Sequence, residues 1–214
     1  MKKRRRLLIF FAIVLLLSTV IVRYGVSEEL SAANIQAGLA KSIIRFHVRA
    51  NSDSEEDQAL KLKVKDAVVT YLEPILSESE SLQQSRGILE SRMEDIKGIA
   101  LSVLKDNGSD KAVNVYFEEC YFPMKSYGDV TFPPGVYEAF RIDIGDSEGK
   151  NWWCVLYPPL CFVDATYGVL PEESKQTLAN VLTKDEYNAI TGEECEFRFK
   201  YLTFLNDLLE EKRN

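Results

Sequence analysis

Three groups of residues in this chain carry side chains able to do chemistry: a G-x-S-x-G stretch, one histidine and four cysteines. Gly145-Asp146-Ser147-Glu148-Gly149 has the spacing of the nucleophile elbow of α/β-hydrolases, which needs a strand, a sharp turn and then a helix to present its serine. Here the stretch is followed by Asn151–Tyr157 (NWWCVLY), full of strand formers, so it reads as a loop between strands. His47 is the sole histidine, with Arg45 and Arg49 two residues away on either side. Neighbouring positive charge opposes the imidazolium that a general base must become, which favours a structural or partner-contact role. The chain has no His-pair motif and no close Cys-x-x-Cys, and a helix N-terminus accounts for the acids Asp53, Glu55, Glu56 and Asp57. No catalytic residue, metal ligand or cofactor is therefore expected. Cys120, Cys154, Cys161 and Cys195 allow three full pairings. A disulfide between Cys154 and Cys161 would require the chain to reverse near Pro158-Pro159; buried free thiols are the alternative.

The elements that must position these residues follow from periodicity. Ser42–Ala50 alternates as a strand, with Ile44, Phe46 and Val48 on one face and Arg45, His47 and Arg49 on the other. Asp53 with Glu56 fits a capping box opening a helix marked by Leu60, Val64, Val68, Leu72 and Ile75, with Pro74 near its end. Leu82, Leu89, Met93, Ile96, Ala100 and Leu104 describe a second amphipathic helix, closed by Asn107-Gly108 and expected to pack antiparallel to the first. Ala112–Glu119 is a strand. Val136–Ile144 and Asn151–Tyr157 are expected to pair as a hairpin at the centre of a sheet, with Trp152 and Trp153 on opposite faces. Pro171 opens a helix through Leu182, Thr183–Glu186 starts a short one to Ile190, Phe197–Tyr201 reads as a strand, and Leu202–Leu209 as a helical turn or two. Strand and helix runs without strict βαβ alternation predict an α+β fold with a mostly antiparallel sheet.

Charge sets the compartment. Lys2, Lys3, Arg4, Arg5, Arg6 and Arg23 place +6 in the first 23 residues of a chain whose net charge is −7, so the remainder carries −13. An acidic domain of that kind has no basic field for nucleic acid. The basic cluster followed by the apolar run Leu7–Val22 predicts a signal peptide or signal anchor over 1–27, so that the chain meets a membrane at least transiently and residues beyond it lie outside the cytoplasm. Residues 28–41 read as a linker, and 42–214 as a single α+β domain.

The blocks IIRFHVRANSDSEEDQALKLKVKDAV (Ile43–Val68), FPPGVYEAFRIDIG (Phe132–Gly145) and NWWCVLYPPLCFVD (Asn151–Asp164), in that order and spacing, closely resemble the stage II sporulation protein R family of endospore-forming bacteria. The resemblance implies a signalling protein exported from the forespore into the intermembrane space. There it would trigger a membrane-embedded aspartic peptidase of the mother cell that processes pro-sigma-E. The contact surface expected on this reading is His47, Arg49, Asn51 and Asp53 with whichever of Trp152 and Trp153 points outward. A secreted envelope hydrolase or a structural envelope module is the alternative.

Overall fold

In the computed structural model, which describes residues 2–161 and 169–192, the chain divides into two units, 1–35 with 193–214, and 36–192. Helix α1 (Lys2–Ser42) supplies the described part of the first unit and the opening turns of the second. Phe10, Phe11, Leu15 and Leu16 on it are exposed. Among the described residues, no helix is long and apolar enough to cross a membrane. Cys195, the expected strand Phe197–Tyr201 and the turns from Leu202 to Leu209 lie outside the described residues.

The segment 28–41, expected as a linker, is helical instead. Its alanines and leucines favour helix, and its last turns belong to the second unit. Leu39 is fully buried there, and Gln36 Nε2 donates to the Val136 carbonyl at 3.0 Å.

The second unit is built on a four-stranded sheet in the order β2 (Val113–Phe122), β5 (Gly135–Ile144), β1 (Ile44–Arg49), β6 (Asn151–Tyr157). Strand β1 runs parallel to β5 and antiparallel to β6, and β2 is antiparallel to β5, so the sheet is mostly antiparallel and the fold α+β. Strands β5 and β6 were expected to pair with each other; β1 lies between them instead. The physical reason is the loop Gly145–Lys150, which passes over the end of β1. Gly149 N–H donates to the Ala50 carbonyl at 3.0 Å and Glu148 N–H to the Asn51 carbonyl at 3.1 Å. A Cβ on Gly149 would lie 2.2 Å from the Ser52 carbonyl oxygen, so only glycine permits the approach. Six residues are more than a tight hairpin needs and suit a crossing of two strand spacings, roughly 10 Å.

One face of the sheet is covered by α2 (Glu55–Leu76), α3 (Leu82–Ser91) and α4 (Met93–Asp106). Leu60, Val64, Val68, Leu72 and Leu76 of α2 and Ile96, Ala100 and Leu104 of α4 enclose Ile44, Phe46, Val48, Phe140, Ile142 and Ile144 in one core. Helices α2 and α4 are antiparallel: Lys63 reaches Asn107, while Tyr71, farther along α2, meets Asp95 near the start of α4. The second amphipathic stretch breaks at Arg92 rather than running through, because the Arg92 backbone leaves the helical region at φ −107° and ψ 5°. Helices α5 (Glu172–Val181) and α6 (Lys184–Thr191) fall where expected, α6 opening on a Thr183–Glu186 capping box and closing on Gly192 with a positive φ. A two-stranded ribbon, β3 (Lys125–Tyr127) with β4 (Val130–Phe132), completes the described elements.

The start of α2 differs from the expected capping box. Ser54, not Asp53, caps the helix by accepting from Asp57 N–H, which leaves Asp53 Oδ1 to receive Lys150 N–H at 2.7 Å from the crossing loop. Asp57 is the hub of this turn. Hydrogen bonds from Ser52 and Asn51 hold its carboxyl down at about 2, with Lys111 adding an ion pair at 3.3 Å, against the opposing effect of burial. A folded-state value below the unfolded one stabilises the fold fully above about pH 5, and the contribution fades as pH falls through the folded value. Asp57→Ala is accordingly expected to cost roughly 1–2 kcal/mol in urea unfolding at pH 7. The gap from wild type should narrow steadily between pH 5 and pH 2, and a gap independent of pH would contradict the assignment.

Candidate functional site

The sheet face turned away from α2–α4 carries the polar side chains. Strand alternation and register place them in rows across four strands: Asn114, Asp143, Arg49 and Asn151; Tyr116, Arg141, His47 and Trp153; Glu118, Ala139, Arg45 and Val155. Of the six residues expected to contact a partner, His47, Arg49 and Trp153 share this face. Asn51 and Asp53 stand on the adjoining turn. Trp152 lies on the other face, edge-on to Phe46 with Lys65 Nζ 5.2 Å above its ring. The opposite orientation of the two tryptophans is as expected, and Trp153 is the one directed away from the helices.

His47 does not present a surface. It is only 3% exposed, stacked on Trp153 at 4.9 Å with Phe122 at 5.5 Å, and its Nδ1 has no hydrogen-bond partner. Burial drives its pKa down to about 4, with Arg141 the next cause, Asp143 opposing, and Arg49 and Arg45 adding to the fall. The imidazole is therefore neutral near pH 7. Its depth was not legible from alternation alone, which assigns a face but not what covers it.

Arg45 is fully buried in a cage of rings. Its guanidinium carbon lies 4.4 Å from the Phe122 centroid, 5.3 Å from those of Phe132 and Tyr137 and 5.8 Å from that of Tyr127. Nη2 donates to the Tyr127 hydroxyl at 3.3 Å, while Nε and Nη1 lack partners. Cation–π attraction thus stands where an ion pair would usually be. Burial raises the pKa of Tyr127 strongly, keeping that hydroxyl protonated.

Beside the cage lies an ion-pair chain. Arg141 Nε donates to Asp143 at 2.7 Å and Nη1 to Glu118, and the Tyr116 hydroxyl donates to Asp143 at 2.8 Å. Burial opposes the charge on Arg141, but hydrogen bonds to Asp143 and Glu118 outweigh it and raise the pKa. Tyr116 is pushed up to about 12 by burial and by Asp143. Cys120 rises to about 12 through burial and then Glu118, so it is a thiol. The sequence reading missed Tyr116, Glu118, Cys120 and Asp143 as members of one cluster; the period of two already put Arg141 and Asp143 on a shared face, but the strand order that joins it to β1 is not a local property.

The two turn residues are structural ties. Asn51 Nδ2 donates to Asp57 at 2.8 Å, and its Oδ1 accepts from Asp146 N–H at 3.0 Å. Ser147 sits in this crossing loop with a positive φ, and a strand follows it, so the elbow geometry is not formed. The chain does reverse after Tyr157, with Leu160 N–H bonding the Val155 carbonyl at 3.2 Å. The bridge considered for Cys154 and Cys161 is nevertheless not made: both are free thiols. Cys161 Sγ donates to the Val155 carbonyl at 2.9 Å, and burial holds its pKa well above the usual thiol value.

Fold and site together define an α+β domain with an arginine-bearing sheet face opposite its helical layer. The family model described as stage II sporulation protein R (spore_II_R) matches residues 40–167. Stage II sporulation protein R of Bacillus subtilis (strain 168) is 34% identical over 180 residues, which covers 77% of this chain and 80% of that protein. The chain therefore belongs to the stage II sporulation protein R family, a family of sporulation proteins. No solved structure matches it.

The cage makes a prediction about stability. Arg45→Ala should cost about 3–5 kcal/mol by opening a cavity among four rings. Arg45→Met, which fills the space and favours sulfur–ring contact, should stay within about 1.5 kcal/mol of wild type or exceed it. Urea midpoints decide the matter; equal losses in both variants would mean that the charge itself holds this region together.

Proposed function

We propose that this protein is an exported sporulation signal that activates, by direct contact, a membrane-embedded aspartic peptidase processing pro-sigma-E in the mother cell. Family membership is the observation that carries the reading. Two features of the chain support it. Lys2–Arg6 followed by the apolar Leu7–Val22 suits passage of the forespore membrane, with the domain delivered to the intermembrane space either released or anchored. The folded unit offers a compact recognition edge where β1 ends: half-buried Arg49, Asn51 and Trp153 beside exposed Asp53. Activation by contact requires tighter binding to the active state of the peptidase than to the resting one, since equal affinity for both shifts nothing. An arginine and a tryptophan at one edge suit that purpose, because these residue types are enriched among those that carry binding energy at protein interfaces. His47 acts behind this edge, orienting Trp153 through their stack.

Co-expression with the peptidase and pro-sigma-E in a non-sporulating host tests the proposal. Arg49→Glu and Asp53→Asn are each expected to lower processing about tenfold or more while export stays unchanged, a loss of roughly 1.4 kcal/mol of contact energy. Ser147→Ala should process normally. Loss of processing in Ser147→Ala would favour a secreted envelope hydrolase, and normal processing in both charge variants would remove this edge from the interface.

A further inference from the structure

We infer that His47, Glu118 and Cys120 form a binding site for one thiophilic divalent metal ion of the zinc class. His47 Nε2 lies 4.0 Å from Cys120 Sγ, and one ligand atom from each of the three residues falls within 4.8 Å of the others. Tetrahedral zinc with metal–sulfur bonds of about 2.3 Å and metal–nitrogen or metal–oxygen bonds of about 2.0–2.2 Å wants donors roughly 3.3–3.6 Å apart. Side-chain movements on the order of 1 Å close that gap. Imidazole, thiolate and carboxylate are the donor types that zinc takes, and three protein ligands leave one position open.

The sheet makes the meeting possible. Glu118 and Cys120 are two apart on β2 and share a face, while His47 is on β1, two strands away. The strand between them contributes Ala139 opposite Glu118 and Arg45, and a methyl group there leaves room for side chains to meet above it. Sequence spacing hides this arrangement, because the histidine and the cysteine are 73 positions apart.

A second, independent feature points the same way. His47 is 3% exposed, yet its Nδ1 has no partner and its Nε2 faces only the weakly bonding thiol at 4.0 Å. Buried polar nitrogens are ordinarily satisfied; Nε2 has only the long contact to a weak sulfur partner, and a metal bond would replace that contact with a strong one. The stack on Trp153 and the contact with Phe122 already fix the ring plane. Charge also closes. Arg141, Arg45 and Arg49 face the histidine and oppose a bound cation, with Asp143 in favour. Binding releases the Cys120 proton to solvent, so a thiolate and the Glu118 carboxylate neutralise the two positive charges of the ion. Glu118 would turn from Arg141, whose Nε remains held by Asp143 at 2.7 Å.

The test uses the full chain in detergent, stripped with chelator and titrated with cobalt(II). One equivalent is expected to bind, giving a thiolate-to-cobalt charge-transfer band in the near ultraviolet that zinc(II) displaces. Cys120→Ser should abolish the band and weaken binding about 100-fold or more, and Glu118→Gln should weaken it about tenfold or more, with far-ultraviolet circular dichroism unchanged in both. Cys161→Ser and Cys195→Ser should each keep the band. Absence of a cobalt–thiolate band in the wild-type chain, a band that survives Cys120→Ser, or one lost with Cys161 or Cys195 would overturn the site.

Discussion

Strand β1 carries the central constraint of this domain: six residues lie between two neighbouring strands, with nearly every side chain buried. Its alternating residues are incompatible with one common environment. Ile44, Phe46 and Val48 enter the hydrocarbon core beneath α2 and α4, and their burial holds the helical layer to the sheet. Arg45, His47 and Arg49 point to the other side, where burying charge is costly unless it is compensated. Much of the remaining architecture supplies that compensation. Aromatic rings from β2, β3, β4 and β5 surround Arg45, and Asp143 and Glu118 hold Arg141 between Tyr116 and His47.

The two faces are therefore coupled through one strand. A change in the packing of α2 on Phe46 displaces the backbone that also sets the position of His47, and through it Trp153. The turn after β1 is tied just as firmly. Asp57 gathers Ser52, Asn51 and Lys111, and Asn51 and Asp53 clasp the crossing loop through the backbone N–H groups of Asp146 and Lys150. Residues that look like a loose polar surface in the sequence are thus load-sharing joints between the first strand, the first packed helix and the 145–150 loop.

This division explains what could be read from the sequence. Periods of two and of three to four placed β1, β2, β5, β6 and α2 almost where they lie, because those signals are local and each element buries one clean face. The start of α6 at Thr183–Glu186 was equally legible. Pairing was not: two aromatic strands joined by a polar, glycine-bearing loop look like a hairpin, and nothing local signals that β1 pairs with both and passes between them. The helical character of 28–41 lay in its alanines and leucines, but nothing local shows that Leu39 packs into the domain. The site was half legible. Arg45, His47 and Arg49 were correctly placed on one face, but the rings that bury them come from more than seventy positions downstream.

The crossing loop has a consequence for how the domain assembles. Because β1 fills the slot between β5 and β6, neither of its pairings can form until roughly ninety more residues have been laid down, and closing a loop of that length costs about 4 kcal/mol of chain entropy. No adjacent pair of strands in β1, β5 and β6 can zip locally as a nucleus. Folding of this sheet should therefore be slow for its size and governed by long-range encounters. Helices α2 to α4 follow one another directly in the chain, so their mutual packing needs no such long-range encounter.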